Sequence, residues 1–143
     1  MKILGMIVLV LCVFILPLTG ATADFDGSQP LNCVFGDLIE CDLGADCRRV
    51  TAESINAPKM LSVDFKQKKI TQTQQGQGGR TSVIEHVKNV DGKLILQSAE
   101  EGYEGVKDGL GWSLAISEET GQMVLTASGD EVGFVIFGTC TPR

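Results

Sequence analysis

From Lys59 to Phe137 the chain alternates apolar and polar residues in short runs, separated by clusters of Gly, Asp, Asn and Lys. A period of two sends successive side chains to opposite faces of a strand, whereas a helix repeats its face every 3.6 residues. No window carries a helical apolar stripe without a Gly breaking it. Leu61, Val63 and Phe65 alternate with Ser62 and Asp64, which predicts a half-buried strand over 59–65. Lys66 to Lys68 make a polar turn, and Ile70 to Gln75 follow with so few apolar residues that they read as a solvated or edge strand. The Gly76-Gln77-Gly78-Gly79 tract is a flexible connection.

Val83 to Val90 and Lys93 to Ala99 flank Asp91-Gly92. That dipeptide predicts a type I′ hairpin turn, which needs positive φ at both central residues. Residues 100–110 form a loop with three Gly, three Glu and Asp108. Trp112, Leu114 and Ile116 share one face, Glu118 to Gly121 turns the chain, and Met123, Leu125 and Ala127 share the next. After Gly129-Asp130, Val132 to Phe137 is apolar on both faces, which predicts a strand that is central or buried on both sides.

Two short runs, Asn32 to Phe35 and Leu38 to Cys41, bring the count to eight or nine strands. The expected fold is all-β, an antiparallel meander forming a small barrel-like domain, with a β-sandwich as the alternative. Short connections favour neighbouring strands, and closure removes exposed edges. The expected organisation is a signal peptide over 1–23, a flexible N-terminal tail over 24–30 and a single domain over 31–143.

The signal-peptide reading rests on Lys2, the uncharged run from Ile3 to Leu16 and the small-residue triplet Ala21-Thr22-Ala23. That run is shorter than the ~20 residues that cross a bilayer as a helix. Cleavage after Ala23 leaves no expected membrane span. It also removes Lys2 and no acid, so the formal charge of −6 becomes one unit more negative. An acidic chain without clustered Lys and Arg is a poor nucleic-acid binder, since phosphate neutralisation needs such clusters.

Four cysteines remain, Cys33, Cys41, Cys47 and Cys140, an even number in a small exported chain. Of three possible pairings, Cys41 with Cys47 and Cys33 with Cys140 are favoured. Gly44 to Asp46 can bend the chain to join the first pair, and the second would tie the first strand to the last. The spacings fit no zinc site and contain no C-x-x-C to activate a thiol. No cofactor or metal is expected.

Candidate catalytic residues are few. Gly111-Trp112-Ser113-Leu114-Ala115 approximates a nucleophile elbow, but that motif needs a strand, a sharp turn and a helix. Ser113 sits within an alternating strand and reads as an outward-facing serine. His86, alone of its kind, reads as a strand histidine. Asp24-Phe25-Asp26-Gly27 opens like a calcium loop, but Phe35 stands where a bidentate Glu is required.

Two places could bind. The loop holding Glu101, Tyr103 and Glu104 is the longest polar excursion, and its acidity suits a basic protein. The interior beneath Trp112, Met123, Phe134 and Phe137 could hold a small apolar ligand.

Gly111 to Ile116, Thr120 to Met123 and Phe134 to Cys140, together with Cys33, Cys41, Cys47 and Asn56-Ala57-Pro58, resemble an uncharacterised group of small exported bacterial proteins. The resemblance covers most of residues 31–142, implies a periplasmic location and carries no known activity. The sequence thus points to a non-enzymatic exported binding module, periplasmic or secreted, for a small apolar ligand or a basic protein. The alternative is a protein inhibitor of a secreted hydrolase.

Overall fold

A computed structural model of the protein describes residues 25–73, 79–102, 105–106 and 108–143. The predicted signal peptide and the Gly76–Gly78 part of the flexible connection lie outside the described residues. Within them the chain is all-β and has no helix. Ten strands occur in order: β1 (Leu31–Asp42), β2 (Arg48–Val50), β3 (Met60–Asp64), β4 (Lys69–Thr73), β5 (Thr81–Val83), β6 (His86–Val90), β7 (Lys93–Glu100), β8 (Leu110–Ser117), β9 (Gln122–Ser128) and β10 (Val132–Pro142).

The two N-terminal runs are one strand, β1, bent by a bulge between Phe35 and Leu38. The predicted hairpin forms between β6 and β7, with Asp91 at φ 48° and Gly92 at φ 71°, the left-handed values a type I′ turn requires. β2 was not foreseen. It pairs with β1, where Arg48 meets Glu40 at 2.8 Å and Asp42 at 2.5 Å, and Arg49 meets Asp37.

Every neighbouring pair in the sheet is antiparallel, in the order β5-β4-β3-β1-β10-β9-β8-β7-β6. The nine strands curl so that the two ends of this path meet, because β5 and β6 are consecutive and only Ile84 and Glu85 separate them. Ile84 N donates to Lys68 O on one side and Glu85 N to Gln97 O on the other, both within 3.1 Å. The curled sheet is therefore laced by backbone at this seam, while Ser98 to Glu100 of β7 extend past the last residue that pairs with β6.

Alternation packs one face of each strand inward. Leu31, Cys33, Val63, Leu94, Leu96, Leu114 and Ile116 are fully buried, and Met123 and Cys140 nearly so. They fill one end of the barrel. Phe25 packs against this core, Asn89 Nδ2 donates to Asp26 O, and Arg143 N donates to Pro30 O, so residues 25–30 lie across the filled end. Leu31 also pairs with Pro142, so both strand termini emerge there.

The Cys33–Cys140 disulfide joins register partners in this interior, and Cys41–Cys47 closes the end of β1 onto the turn before β2. Both bridges follow the favoured pairing. β10 is central, the first of the two expected alternatives, and its outer face is open: Phe137 is 42% exposed, beside Val124. Apolar residues on both faces of a strand do not show which face a second layer covers.

Candidate binding site

The opposite end of the barrel is not filled. Here β7 ends, β8 begins, β9 ends, β10 begins and β4 gives way to β5. Ile55 to Pro58 of the connection 51–59 line one side of the mouth and Asp108 another. Thr51 and Ser54 bond reciprocally, and Ala57 N donates to Ala52 O, which fixes the first connection as a tight turn with Ala52 buried. Between these rims lies a cavity of about 300 Å³.

One wall of the cavity is apolar. Phe35, Leu61, Leu125, Phe134 and Ile136 belong to β1, β3, β9 and β10, and each sits at an inward step of its strand's alternation. Trp112 adds the indole from β8, only 8% exposed. Its Nε1 is buried and finds no hydrogen-bond acceptor among the described residues. A buried donor in that condition costs about 1–3 kcal/mol, so most are paired in native proteins.

The other wall, along the seam, is polar. Gln72 of β4, Ser82 of β5 and Glu100 of β7 converge across the stretch where β7 has outrun β6. Gln72 Nε2 donates to both Glu100 oxygens at 3.0 and 3.3 Å, and the Ser82 hydroxyl donates to one of them. Side chains here bridge a gap that backbone bonds leave. Arg80, Asp108 and Asn56 also line the mouth.

Of the candidates read from the sequence, Trp112 lies in the cavity and Phe134 lines it. Met123 is deep in the filled end, and Phe137 points outward and takes no part. Glu101 is exposed on the rim. Tyr103 and Glu104 lie outside the described residues. Ser113 is half-buried in mid-strand, and His86 is exposed over a shallow depression of about 570 Å³ that Lys68, Glu85 and Lys88 also line.

Gln72, Ser82 and Glu100 were missed. The signal was present for Glu100, because Leu94, Leu96 and Ser98 continue to it at period two. Its charge and its Glu101 neighbour placed it in the loop instead. Comparison with protein-family models, curated proteins and solved structures finds no match to this chain. The cavity therefore has to be interpreted from its own chemistry.

Proposed function

We propose that the protein is a non-enzymatic binding module, working in the periplasm or outside the cell, that takes a small apolar ligand into the mouth of its barrel. The observation that carries this reading is Trp112: an indole over nine-tenths buried on the wall of a cavity of about 300 Å³, with Nε1 unpaired among the described residues. Apolar pockets with a few placed polar groups are the usual form of small-molecule sites, and this volume is at the lower end of their range. A ligand carrying one acceptor would satisfy the indole while covering Phe35 and Phe134. Two intramolecular disulfides are consistent with an oxidising, exported compartment.

Native mass spectrometry of protein recovered from its exported fraction tests the proposal. A bound species of a few hundred daltons, lost on denaturation and absent from a Leu125→Trp variant that fills the cavity, is the expected result. Apo protein that also fails to take up any apolar probe would refute it. The inhibitor reading draws only on the acidity of residues 100–108. Full inhibition of a basic hydrolase after that loop is shortened would end it.

A further inference from the structure

Outside the cavity, the seam leaves a strand half-paired. β6 ends the path of strands and pairs with β7 alone, so its other edge is open along residues 86–90. Val90 faces Lys93 across the two-residue Asp91-Gly92 turn, which makes theirs a hydrogen-bonded pair. Alternate residues repeat that pattern. Lys88 and His86 therefore bond to β7, while Val87 and Asn89 aim their N–H and C=O groups at the open side. No other described backbone group meets them there. An edge of this kind is a template for a further strand, here over about 17 Å at ~3.4 Å per residue.

The side chains along the edge specify what such a strand must carry. Val87 stands opposite the buried Leu96, an inward step of the alternation, yet it is 45% exposed because nothing covers it on the open side. His86 and Lys88 take exposed outward steps. Lys68 is held beside them, since its carbonyl accepts from Ile84 N at 2.8 Å, and the exposed Lys66 and Lys69 stand on either side of it in sequence. None of these four lysines forms an ion pair among the described residues. Of the acids nearby, Asp64 accepts from Gln67 N and Glu118 from the Asn89 side chain, and Glu85 is the one carboxylate in the depression that Lys68, His86 and Lys88 line. In a chain of net charge −6 this edge is a local concentration of cations.

That charge selects the occupant. Two copies paired antiparallel about the middle of β6 would set Lys88 against Lys88, and like charges directly opposite are destabilising. An acidic strand turns the same positions into cross-strand pairs of opposite sign. We propose that the open edge of β6 docks an extended segment of a partner protein in which acidic and apolar residues alternate. Its main chain bonds to Val87 and Asn89, its apolar side chains cover Val87, and its carboxylates face Lys68 and Lys88. This is recognition by strand addition, with backbone bonds giving affinity and alternate side chains giving specificity.

Three end-blocked, fluorophore-labelled heptapeptides test it by anisotropy against the folded protein: Glu alternating with Val, Lys alternating with Val, and the Glu and Val residues of the first regrouped into two blocks. Salt is held at about 0.1 M, where charges more than about 10 Å away are screened. The alternating acidic peptide is expected to bind, the block peptide at least about tenfold more weakly and the Lys peptide not at all. Val87→Pro removes a donor on the open side and leaves the β6–β7 ladder intact, so it should weaken the acidic peptide by at least about fivefold. Lys68→Glu with Lys88→Glu, both at exposed positions, should weaken it by about tenfold.

Equal binding of the alternating and block peptides, or full binding by Val87→Pro, reduces the edge to a patch of charge and overturns strand addition. Binding of phosphatidylglycerol vesicles without binding of the alternating peptide assigns the lysines to a lipid surface and also overturns it. So does the absence of any response. Should Val87→Pro fail to fold, the peptide ranking and the double lysine variant decide the question.

Discussion

The two disulfides offer a quantitative test of how this barrel is stabilised. Cys33 and Cys140 are 107 positions apart in sequence, and Cys41 and Cys47 are 6 apart. In the chain-entropy treatment, a bridge stabilises by restricting the unfolded chain, by about 5 kcal/mol for the long loop and about 2 kcal/mol for the short one. The native contribution of the long bridge is small by comparison, because β1 and β10 are already held by ten register pairs. Cys33→Ala with Cys140→Ala should therefore cost about 5 kcal/mol, and Cys41→Ala with Cys47→Ala less than half of that. For a chain of this size the first loss lowers the melting temperature by roughly 15–20 °C.

Urea denaturation of the chain from residue 24 onward, followed by stopped-flow fluorescence, measures both the loss and where it falls. An effect that resides in the unfolded chain slows folding and leaves the unfolding rate nearly unchanged, provided β1 and β10 are already paired in the transition state. Equal losses from the two double variants would refute the loop-length argument. A loss carried mainly by faster unfolding would show either that β1 and β10 pair only after the transition state or that the bridge acts on native contacts.

Gly121 and Gly92 share a left-handed backbone but not the same surroundings. A Cβ on Gly121 would lie 2.6 Å from the Phe25 ring and 2.7 Å from the Cys140 carbonyl, whereas one on Gly92 meets nothing within 4 Å. Gly121→Ala should cost at least about 3 kcal/mol and Gly92→Ala about 1 kcal/mol, as thermal melts would show. Trp112→Phe removes packing and an unpaired donor together, so its urea midpoint should stay within about 1 kcal/mol of wild type, against about 3–5 for Trp112→Ala. A loss above about 2 kcal/mol in the Phe variant would reveal a partner for Nε1. Asp26 is held below its ordinary carboxylate value by hydrogen bonds from the Ser28 side chain and backbone, and Glu53 by the Lys59 ammonium. Such lowered groups stabilise the fold above pH about 4 and lose that contribution as the pH falls through their folded values. The melting advantage of wild type over Asp26→Asn should accordingly be small at pH 6 and vanish towards pH 2.

Much of the architecture was legible because its causes are local. Period-two alternation and turn chemistry act within a few residues, so β3, β4, β7 to β10 and the Asp91-Gly92 hairpin could be read directly. What escaped depends on contacts between distant segments. β2 is held by ion pairs to β1, which no window around Arg48-Arg49 contains. The strand expected over 83–90 is divided at Ile84 and Glu85, because its halves belong to opposite edges of the sheet. Ile70 to Gln75 looked solvated for want of apolar residues, yet Ile70 is 4% exposed and Gln72 lines the mouth. The candidate site followed the same rule. Trp112 was found because an aromatic at an inward position is conspicuous, and Glu100 was overlooked because a carboxylate at the same kind of position resembles a loop.

The pairing of Leu31 with Pro142 has a practical consequence. A fluorophore, a surface tether or a second domain joined at Phe25 or at Arg143 departs from the plugged base and leaves the opening pointing away. Immobilisation from either side therefore preserves the same orientation, with the vestibule presented to bulk solvent.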